Sequence, residues 1–222
     1  MWLAIKRRVH RYLLRDPAFR FVFDEPPPGE AVAIDCETTG LDPRHDDIVT
    51  VAAVPIQGSR ILASGRFEAI VKPRAGMKSE AIKVHRLRES DLAGGRTMEE
   101  VLPELLRFLG SRPLVGYYLE FDLAMINRHA RRLIGIELPN RRIEVSGLYY
   151  ERKYGDAPPG AEVDLRFAAI LADLGLPILD QHDAFSDALT TAMMYVALAD
   201  LKARHIRIPR HRAKPFTHFG VG

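Results

Sequence analysis

The sequence predicts an α/β fold in which one sheet contains both antiparallel and parallel strands. Three apolar runs with short connections come first, and such connections favour antiparallel pairing. Apolar runs then alternate with amphipathic helical patterns, which is typical of strands joined by crossover helices. The length of 222 residues suits one domain with a sizeable core. We therefore expect a mixed sheet of about five strands, flanked by helices.

The predicted strands are short apolar runs, rich in β-branched residues and bounded by turn residues. Gly58-Ser59 is the clearest hairpin turn between two of them. The five runs cover residues 31–37, 48–57, 60–71, 113–117 and 142–145.

The predicted helices are marked by end signals as well as by apolar periodicity. Thr97 and Glu100 form a capping box at the start of one helix, and Gly175 ends another. Beyond the helix that begins at Thr97, helical patterns cover residues 121–134, 164–174 and 184–204.

Composition divides the chain into three parts. Residues 1–29 form a basic arm with a Pro-rich connector, residues 30–205 form the main domain, and residues 206–222 form a basic, flexible tail. Apolar residues at helical spacing in the arm predict an amphipathic helix that docks on the domain; a lipid surface or a protein partner is the alternative. These residues are Trp2, Ile5, Val9, Tyr12 and Leu13.

The net charge of +3 conceals basic ends and an acidic middle. Six of the first 20 residues are basic and one is acidic, and the residues from Lys202 onward include six basic and no acidic ones. This distribution suits a protein that holds metal ions centrally and phosphates around them. Solubilising termini explain it equally well.

The composition also bears on the compartment. The single cysteine, Cys36, has no partner for an intramolecular disulfide, and no Cys/His spacing typical of zinc sites is present. No stretch reaches the ~20 apolar residues of a membrane span, and the N-terminus lacks the features of a secretory signal. We expect a cytoplasmic protein.

Two carboxylates, Asp35 and Glu37, interrupt the first apolar strand near its end. Strand side chains alternate between faces, so both carboxylates point the same way and Cys36 points into the opposite layer. Two like charges on one face of a buried strand are unfavourable unless a cation lies between them. A hard divalent metal is the natural occupant, and a solvated strand end that leads into a turn is the alternative.

Further candidate residues follow two later elements. Asp122 lies just past the fourth strand, where the next helix begins. Asp187 lies inside the last helix among small and apolar neighbours, so a cation would offset the cost of burying it. His182 precedes that helix and can reach the same site from a loop.

These residues resemble the DnaQ-like (DEDD) 3′-to-5′ exonucleases, which have a ribonuclease-H-like fold. The similarity rests on Asp35-x-Glu37-Thr-Thr-Gly-Leu, on Phe121-Asp122, and on His182 five residues before Asp187, in the family's order. The histidine and its spacing mark the histidine subtype. The first motif is similar to that of the proofreading epsilon subunits of bacterial DNA polymerase III.

The resemblance implies a two-metal nuclease. Asp35, Glu37, Asp122 and Asp187 would bind two Mg²⁺ or Mn²⁺ ions, and His182 would be the general base. Thr38, Leu41 and His85 would lie near the terminal nucleotide.

The implied activity is removal of nucleotides from 3′ ends, with single-stranded DNA as the favoured substrate. The alternatives are an exoribonuclease that trims RNA 3′ ends and a weakly active nucleic-acid-binding subunit of a polymerase complex. A polymerase or other protein partner would bind the basic arm or the tail.

Two features lie outside the family pattern. Tyr117-Tyr118 stands where many relatives have His-Asn, so these rings either stack on a base or, for Tyr117, end a buried strand. We interpret Asp42, Asp46 and Asp47 as a solvated turn rather than a third metal site.

Overall fold

The computed structural model of the chain describes residues 9–74, 89–180 and 182–210. Within these ranges, six strands form one mixed sheet in the order β3-β2-β1-β5-β6, and β4 also pairs with β2. Strand β2 pairs antiparallel with β1, β3 and β4, whereas β5 pairs parallel with β1 and with β6, which confirms the predicted mixed sheet. The strands are β1 (Glu30–Thr38), β2 (Ile48–Gln57), β3 (Arg60–Ile61), β4 (Phe67–Ile70), β5 (Leu114–Gly116) and β6 (Arg142–Glu144).

Helices cover both faces of the sheet. Two short 3₁₀ segments, Pro17–Phe23 and Ala63–Gly65, accompany them. The α-helices are α1 (Glu89–Leu92), α2 (Met98–Leu109), α3 (Leu119–Leu133), α4 (Val145–Lys153), α5 (Phe167–Leu174) and α6 (Ala184–Ala203).

The strand predicted over residues 60–71 is divided into β3 and β4. Both pieces pair with β2, on either side of Pro55. Proline has no N–H to donate to a ladder, so regular pairing along this edge of β2 stops there. The 3₁₀ segment Ala63–Gly65 connects β3 to β4. Just before it, the Leu62 N–H donates to the Pro55 carbonyl.

The central strand β1 sends alternate side chains into two hydrophobic layers. Val32, Ile34 and Cys36 belong to the layer formed with α2 and α3, whereas Ala31 and Ala33 face the layer formed with α4, α5 and α6. Asp35 and Glu37 continue the second series, because side chains two residues apart share a face. This alternation directs both carboxylates towards α6.

The N-terminal arm is partly integrated into the domain. Phe19 and Phe23 are buried in the layer with α2 and α3. The helical residues 9–13, by contrast, leave Val9, Tyr12 and Leu13 exposed, so the prediction that the apolar stripe docks is wrong for these three; Trp2 and Ile5 lie outside the described residues.

The C-terminal segment follows α6 back along α4. Ile208 is buried, and its N–H donates to the Arg152 carbonyl at 3.1 Å. In the part of the chain that the structure describes, no helix has both the length and the apolarity needed to cross a membrane.

Candidate metal centre

Strand β1 carries the first two acidic residues into the gap between the sheet and α6. Asp35 pairs with Ala52 and Glu37 with Thr50, and the register shifts after Glu37. Burial, and then the nearby Asp122 and Glu37 charges, raise the pKa of Asp35 well above its usual range. Burial followed by the charge of Asp187 raises the pKa of Glu37 to about 7.

Asp122 joins this pair from the first turn of α3. Strand β5 ends at Gly116, and its pairing with β1 covers only Val32 and Ala33. The backbone N–H of Cys36 therefore has no partner from β5. Asp122 takes that place: its Oδ1 accepts the Cys36 N–H at 3.0 Å, and the side chain is 4% exposed. Burial raises the pKa of Asp122, and the hydrogen bond from Cys36 opposes part of that rise.

Helix α6 and the residue before its cap supply the remaining two groups. Asp183 caps α6 by accepting the Ser186 N–H at 3.0 Å. His182, whose backbone is left-handed at φ 65°, donates its N–H to Asp187 Oδ2 at 2.9 Å. The potential ligand atoms of Glu37, His182 and Asp187 all lie within 4.8 Å of one another.

In all four carboxylates the charged form is unfavourable. Burial raises the pKa of each, and the Asp35 and Glu37 shifts also include repulsion from Asp187 and Asp183. Across the described ranges, none of the four forms an ion pair with lysine or arginine. A divalent cation fits this donor set, because hard oxygen ligands bind it and it offsets their repulsion.

Asp35, Asp187 and His182 border an open cleft of about 390 Å³. Glu37 lies next to His182 and Asp187, and the charge of Asp122 acts on Asp35. The cleft wall also includes Arg166, Phe167 and Ala168, which the sequence interpretation did not single out. These residues were assigned to a predicted helix over residues 164–174, whereas α5 begins at Phe167. The side chain of Asp164 accepts the Arg166 N–H at 3.0 Å, so residues 164–166 form a turn before the helix.

Tyr117 and Tyr118 have different environments. Tyr117 is half-buried and lines the cleft; its hydroxyl donates to the Leu165 carbonyl at 3.0 Å, and its ring meets Phe167 edge-on with centroids 5.0 Å apart. Burial raises the pKa of Tyr117 to about 12. Tyr118 is 70% exposed and left-handed at φ 56°, an uncommon conformation for a bulky residue.

The residues predicted near the terminal nucleotide have unequal placements. Thr38 is buried, and its hydroxyl donates to the Gly40 carbonyl at 2.7 Å. Leu41 follows the same turn and is 86% exposed. His85 lies outside the described residues.

The prediction of a solvated acidic turn is wrong for two of its three residues. Asp46 is 4% and Asp47 is 9% exposed, and only Asp42 is largely solvated. Asp46 accepts the Asp42 N–H at 2.9 Å, and Asp47 pairs with Arg128 at 2.7 Å. Hydrogen bonds that the sequence pattern did not reveal make this turn a buried polar structure.

Comparison with known proteins places the chain among exonucleases. The RNase_T family model, described as "Exonuclease", matches residues 32–195. DNA polymerase III subunit epsilon of Aquifex aeolicus is 29% identical over 172 residues, which cover 78% of this chain and 81% of that protein. DNA polymerase III PolC-type of Thermotoga maritima is 29% identical over 202 residues, 87% of this chain but only 14% of that much longer protein.

Solved structures support the fold. A single-stranded DNA complex of E. coli exonuclease I has a TM-score of 0.66 at 17% identity and covers 80% of this chain and 41% of that chain. Exonuclease X in complex with 5′ overhanging duplex DNA has a TM-score of 0.58 at 23% identity, over 78% of this chain and 93% of that one.

The resemblance inferred from the sequence motifs is thus confirmed by a match that spans most of the chain. Such a family implies dependence on a divalent metal, and the acidic cleft has a donor set that fits one. The chain therefore belongs to the RNase_T exonuclease family.

Proposed function

We propose that this protein is a 3′-to-5′ exonuclease that hydrolyses phosphodiester bonds at the 3′ ends of single-stranded DNA, with two Mg²⁺ or Mn²⁺ ions. One observation carries the proposal. Four carboxylates from β1, α3 and α6 converge near a histidine, and in the described part of the chain none of them is ion-paired with a lysine or arginine. Such a site favours cations that also bind phosphate oxygens.

Asp35, Glu37, Asp122 and Asp187 would hold the ions. A backbone N–H donates to one oxygen of Asp122 and another to one oxygen of Asp187, and these hydrogen bonds restrain both carboxylates. Ligands held in this way lose little side-chain freedom when the metal binds.

When bound, divalent ions activate water and offset charge at the departing oxygen. His182 would act as general base and take a proton from the attacking water through a ring nitrogen. As the water oxygen bonds to phosphorus, the bond from phosphorus to the 3′ oxygen of the preceding nucleotide breaks. That oxygen takes a proton from solvent, and a nucleoside 5′-monophosphate leaves.

The substrate end would contact residues beyond the metal ligands. Leu41, the last residue of the first motif, presents an exposed apolar side chain suited to a sugar or base face. Thr38 would contribute mainly through the turn that its hydroxyl stabilises, and His85 is carried over from the family motif. The exposed ring of Tyr118 could stack on an unpaired base.

DNA is favoured over RNA by the relatives. The Aquifex and Thermotoga proteins are named as DNA polymerase III components, and the exonuclease I structure is a complex with single-stranded DNA. By the same analogy, we propose that a polymerase or another protein binds the basic arm or the tail. We also propose a cytoplasmic location. An exoribonuclease that uses the same site is the second candidate.

The test is digestion of 5′-labelled single-stranded DNA and RNA of one sequence, with Mg²⁺, Mn²⁺ or EDTA. We expect a metal-dependent ladder that shortens from the 3′ end, faster on DNA, and lost in His182→Ala and Asp35→Asn. His45→Ala, which removes an exposed histidine paired with Asp42, is the matched control and should cut normally. Faster digestion of RNA would favour the second candidate, and no cleavage of either strand would refute the nuclease proposal.

A further inference from the structure

The cleft wall contains a cationic side chain that takes no part in the proposed hydrolysis. Among the residues that the structure describes, Arg166 is the one arginine or lysine that lines the cleft, together with Asp35, His182 and Asp187. We propose that Arg166 binds a backbone phosphate of the substrate strand beside the carboxylate site. This inference rests on the proposed nuclease function and adds a substrate-positioning residue to it.

The guanidinium of Arg166 is oriented by Asp164. Its Nε and Nη2 donate to the two Asp164 carboxylate oxygens at 3.0 and 2.7 Å. This side-on pairing uses one edge of the guanidinium and leaves the Nη1 donors without a contact among the described residues. Arg166 is therefore held by one anion and still able to donate to a second one, and phosphate matches that donor geometry.

Tyr117 contacts the residues on both sides of Arg166. The Tyr117 hydroxyl bonds to the carbonyl of Leu165, and its ring packs edge-on against Phe167, with the two planes 68° apart. One half-buried side chain thus anchors both neighbours of Arg166. Tyr117 acts as a positioning residue, which gives a role to one of the two aromatic residues at which the chain departs from the family motif.

Stability does not explain why an arginine lies here. The Arg166 side chain is 84% exposed, and exposed ion pairs contribute little to folding. A nucleic acid strand that enters this cleft is repelled by the carboxylates in and next to it. Ions at the carboxylates would offset that repulsion at the scissile phosphate, and a cation on the wall would do so for a neighbouring phosphate.

The first measurement is the salt dependence of binding to single-stranded DNA. It is made with Mg²⁺ in the His182→Ala background, which keeps the four carboxylates but lacks the proposed base. Losing one phosphate contact should weaken binding roughly 10-fold and lower the slope of log affinity against log salt by about 0.7. Arg166→Ala should show both effects, and Arg166→Lys should retain most of the slope.

The matched control is Arg96→Ala. Arg96 makes a comparable two-contact pair with Glu104, at 2.7 and 2.9 Å, but lies outside the cleft. Its removal should leave both affinity and slope unchanged. If Arg166→Ala behaves like Arg96→Ala, the proposal is overturned.

A second measurement locates the phosphate. Single methylphosphonate linkages remove the charge of one phosphate at a time from the 3′ end. At the contacted linkage, the neutral substitution should weaken binding by the parent protein but not weaken it further in Arg166→Ala; equal losses in both proteins at every linkage would contradict the contact. Because both readouts are binding, failure of the protein with His182 intact to cleave DNA would refute the proposed function separately.

Discussion

Two acidic clusters flank the end of β1, and they offset buried negative charge in opposite ways. The cleft cluster comprises Asp35, Glu37, Asp122 and Asp187, and the turn cluster comprises Asp42, Asp46 and Asp47. Both include deeply buried carboxylates, such as Asp122 and Asp46, each 4% exposed. Burial alone therefore does not distinguish a metal site from a structural one.

The turn cluster is satisfied by the protein itself. Asp47 accepts the Arg74 N–H at 2.9 Å and pairs with Arg128 at 2.7 Å. Asp46 accepts from the Thr39 hydroxyl and from the Asp42 N–H, and it fills the space beside Gly40 where a side chain would place its Cβ 2.5 Å from Asp46 Oδ2. Each of the two buried carboxylates thus has hydrogen-bond donors within the protein, and Arg128 offsets the charge of Asp47.

In the cleft cluster, Asp122 accepts the Cys36 N–H and Asp187 accepts the His182 N–H, and the described chain provides no lysine or arginine that pairs with any of the four carboxylates. Burial raises the pKa of all four carboxylates, whereas hydrogen bonds from His45 and Arg44 lower the pKa of Asp42 in the turn. Missing donors, rather than acidity, therefore mark the residues available to a metal. Substitutions in the two clusters should accordingly have opposite effects on activity and on stability.

The largest effect is expected for Asp35→Asn. Loss of a metal-binding oxygen should lower kcat/KM by at least the ~10²–10⁴-fold that a general acid–base residue contributes. The metal-free variant should nevertheless be more stable than the wild type at pH 8, because one of several mutually repelling carboxylates has been removed. Urea denaturation in EDTA and ladder assays measure the two quantities, with Asp42→Asn as the control carboxylate. A variant that lost activity and stability together would show that Asp35 has a structural role.

Asp47→Ala should have the opposite pattern. Breaking its pair with Arg128, whose side chains are 13% and 16% exposed, leaves a poorly solvated cation and should cost ~3–5 kcal/mol. The melting temperature should fall by roughly 6–20 °C, while kcat below the new transition stays close to that of the wild type. In the double variant with Arg128→Ala, the losses should be less than additive. Additive losses would mean that the two side chains are not coupled.

The distinction between the clusters was only half visible in the sequence. Asp35 and Glu37 could be predicted because they break an apolar strand, and an ordered set of motifs led to Asp122, His182 and Asp187. The burial of Asp47 could not, because it depends on Arg128 and Arg74, which are distant in sequence, and that of Asp46 depends on how Thr39 and Gly40 pack against it. Local turn composition is the same for a solvated turn and for one buried by remote partners.

In the sheet, too, local patterns could be predicted and contacts between distant residues could not. Apolar runs predicted the central strands, since their pattern is local and strong. The division of the third run required knowing that β3 and β4 both pair with the β2 edge interrupted by Pro55. Arg166 was missed because its place in the cleft comes from Tyr117, which contacts the residues on either side of it.

A third effect concerns pH. The folded-state pKa of Glu37 is raised from an ordinary 4.5 to about 7, so its contribution is favourable at low pH and is lost as the pH rises through about 7. In EDTA, stability should therefore fall by on the order of 3 kcal/mol between pH 4.5 and 7.5 from this group. Urea midpoints across that range should show the decline in the wild type, a smaller one in Glu37→Gln, and little in excess Mn²⁺. If the decline in Glu37→Gln is as large as in the wild type, another group causes the loss of stability.

The smallest effect is expected at the exposed edge of the turn cluster. Asp42 pairs with His45 at 2.7 Å, and both side chains are largely solvated, so the pair is weak. The pKa of Asp42 is lowered, so its contribution is present at neutral pH and disappears as the pH falls below that lowered value. Asp42→Asn should change the melting temperature by no more than about 2 °C at pH 7 and leave nuclease activity unchanged. A large loss of activity would instead place Asp42 with the cleft cluster, as a ligand or substrate contact. The two clusters would then not be functionally distinct.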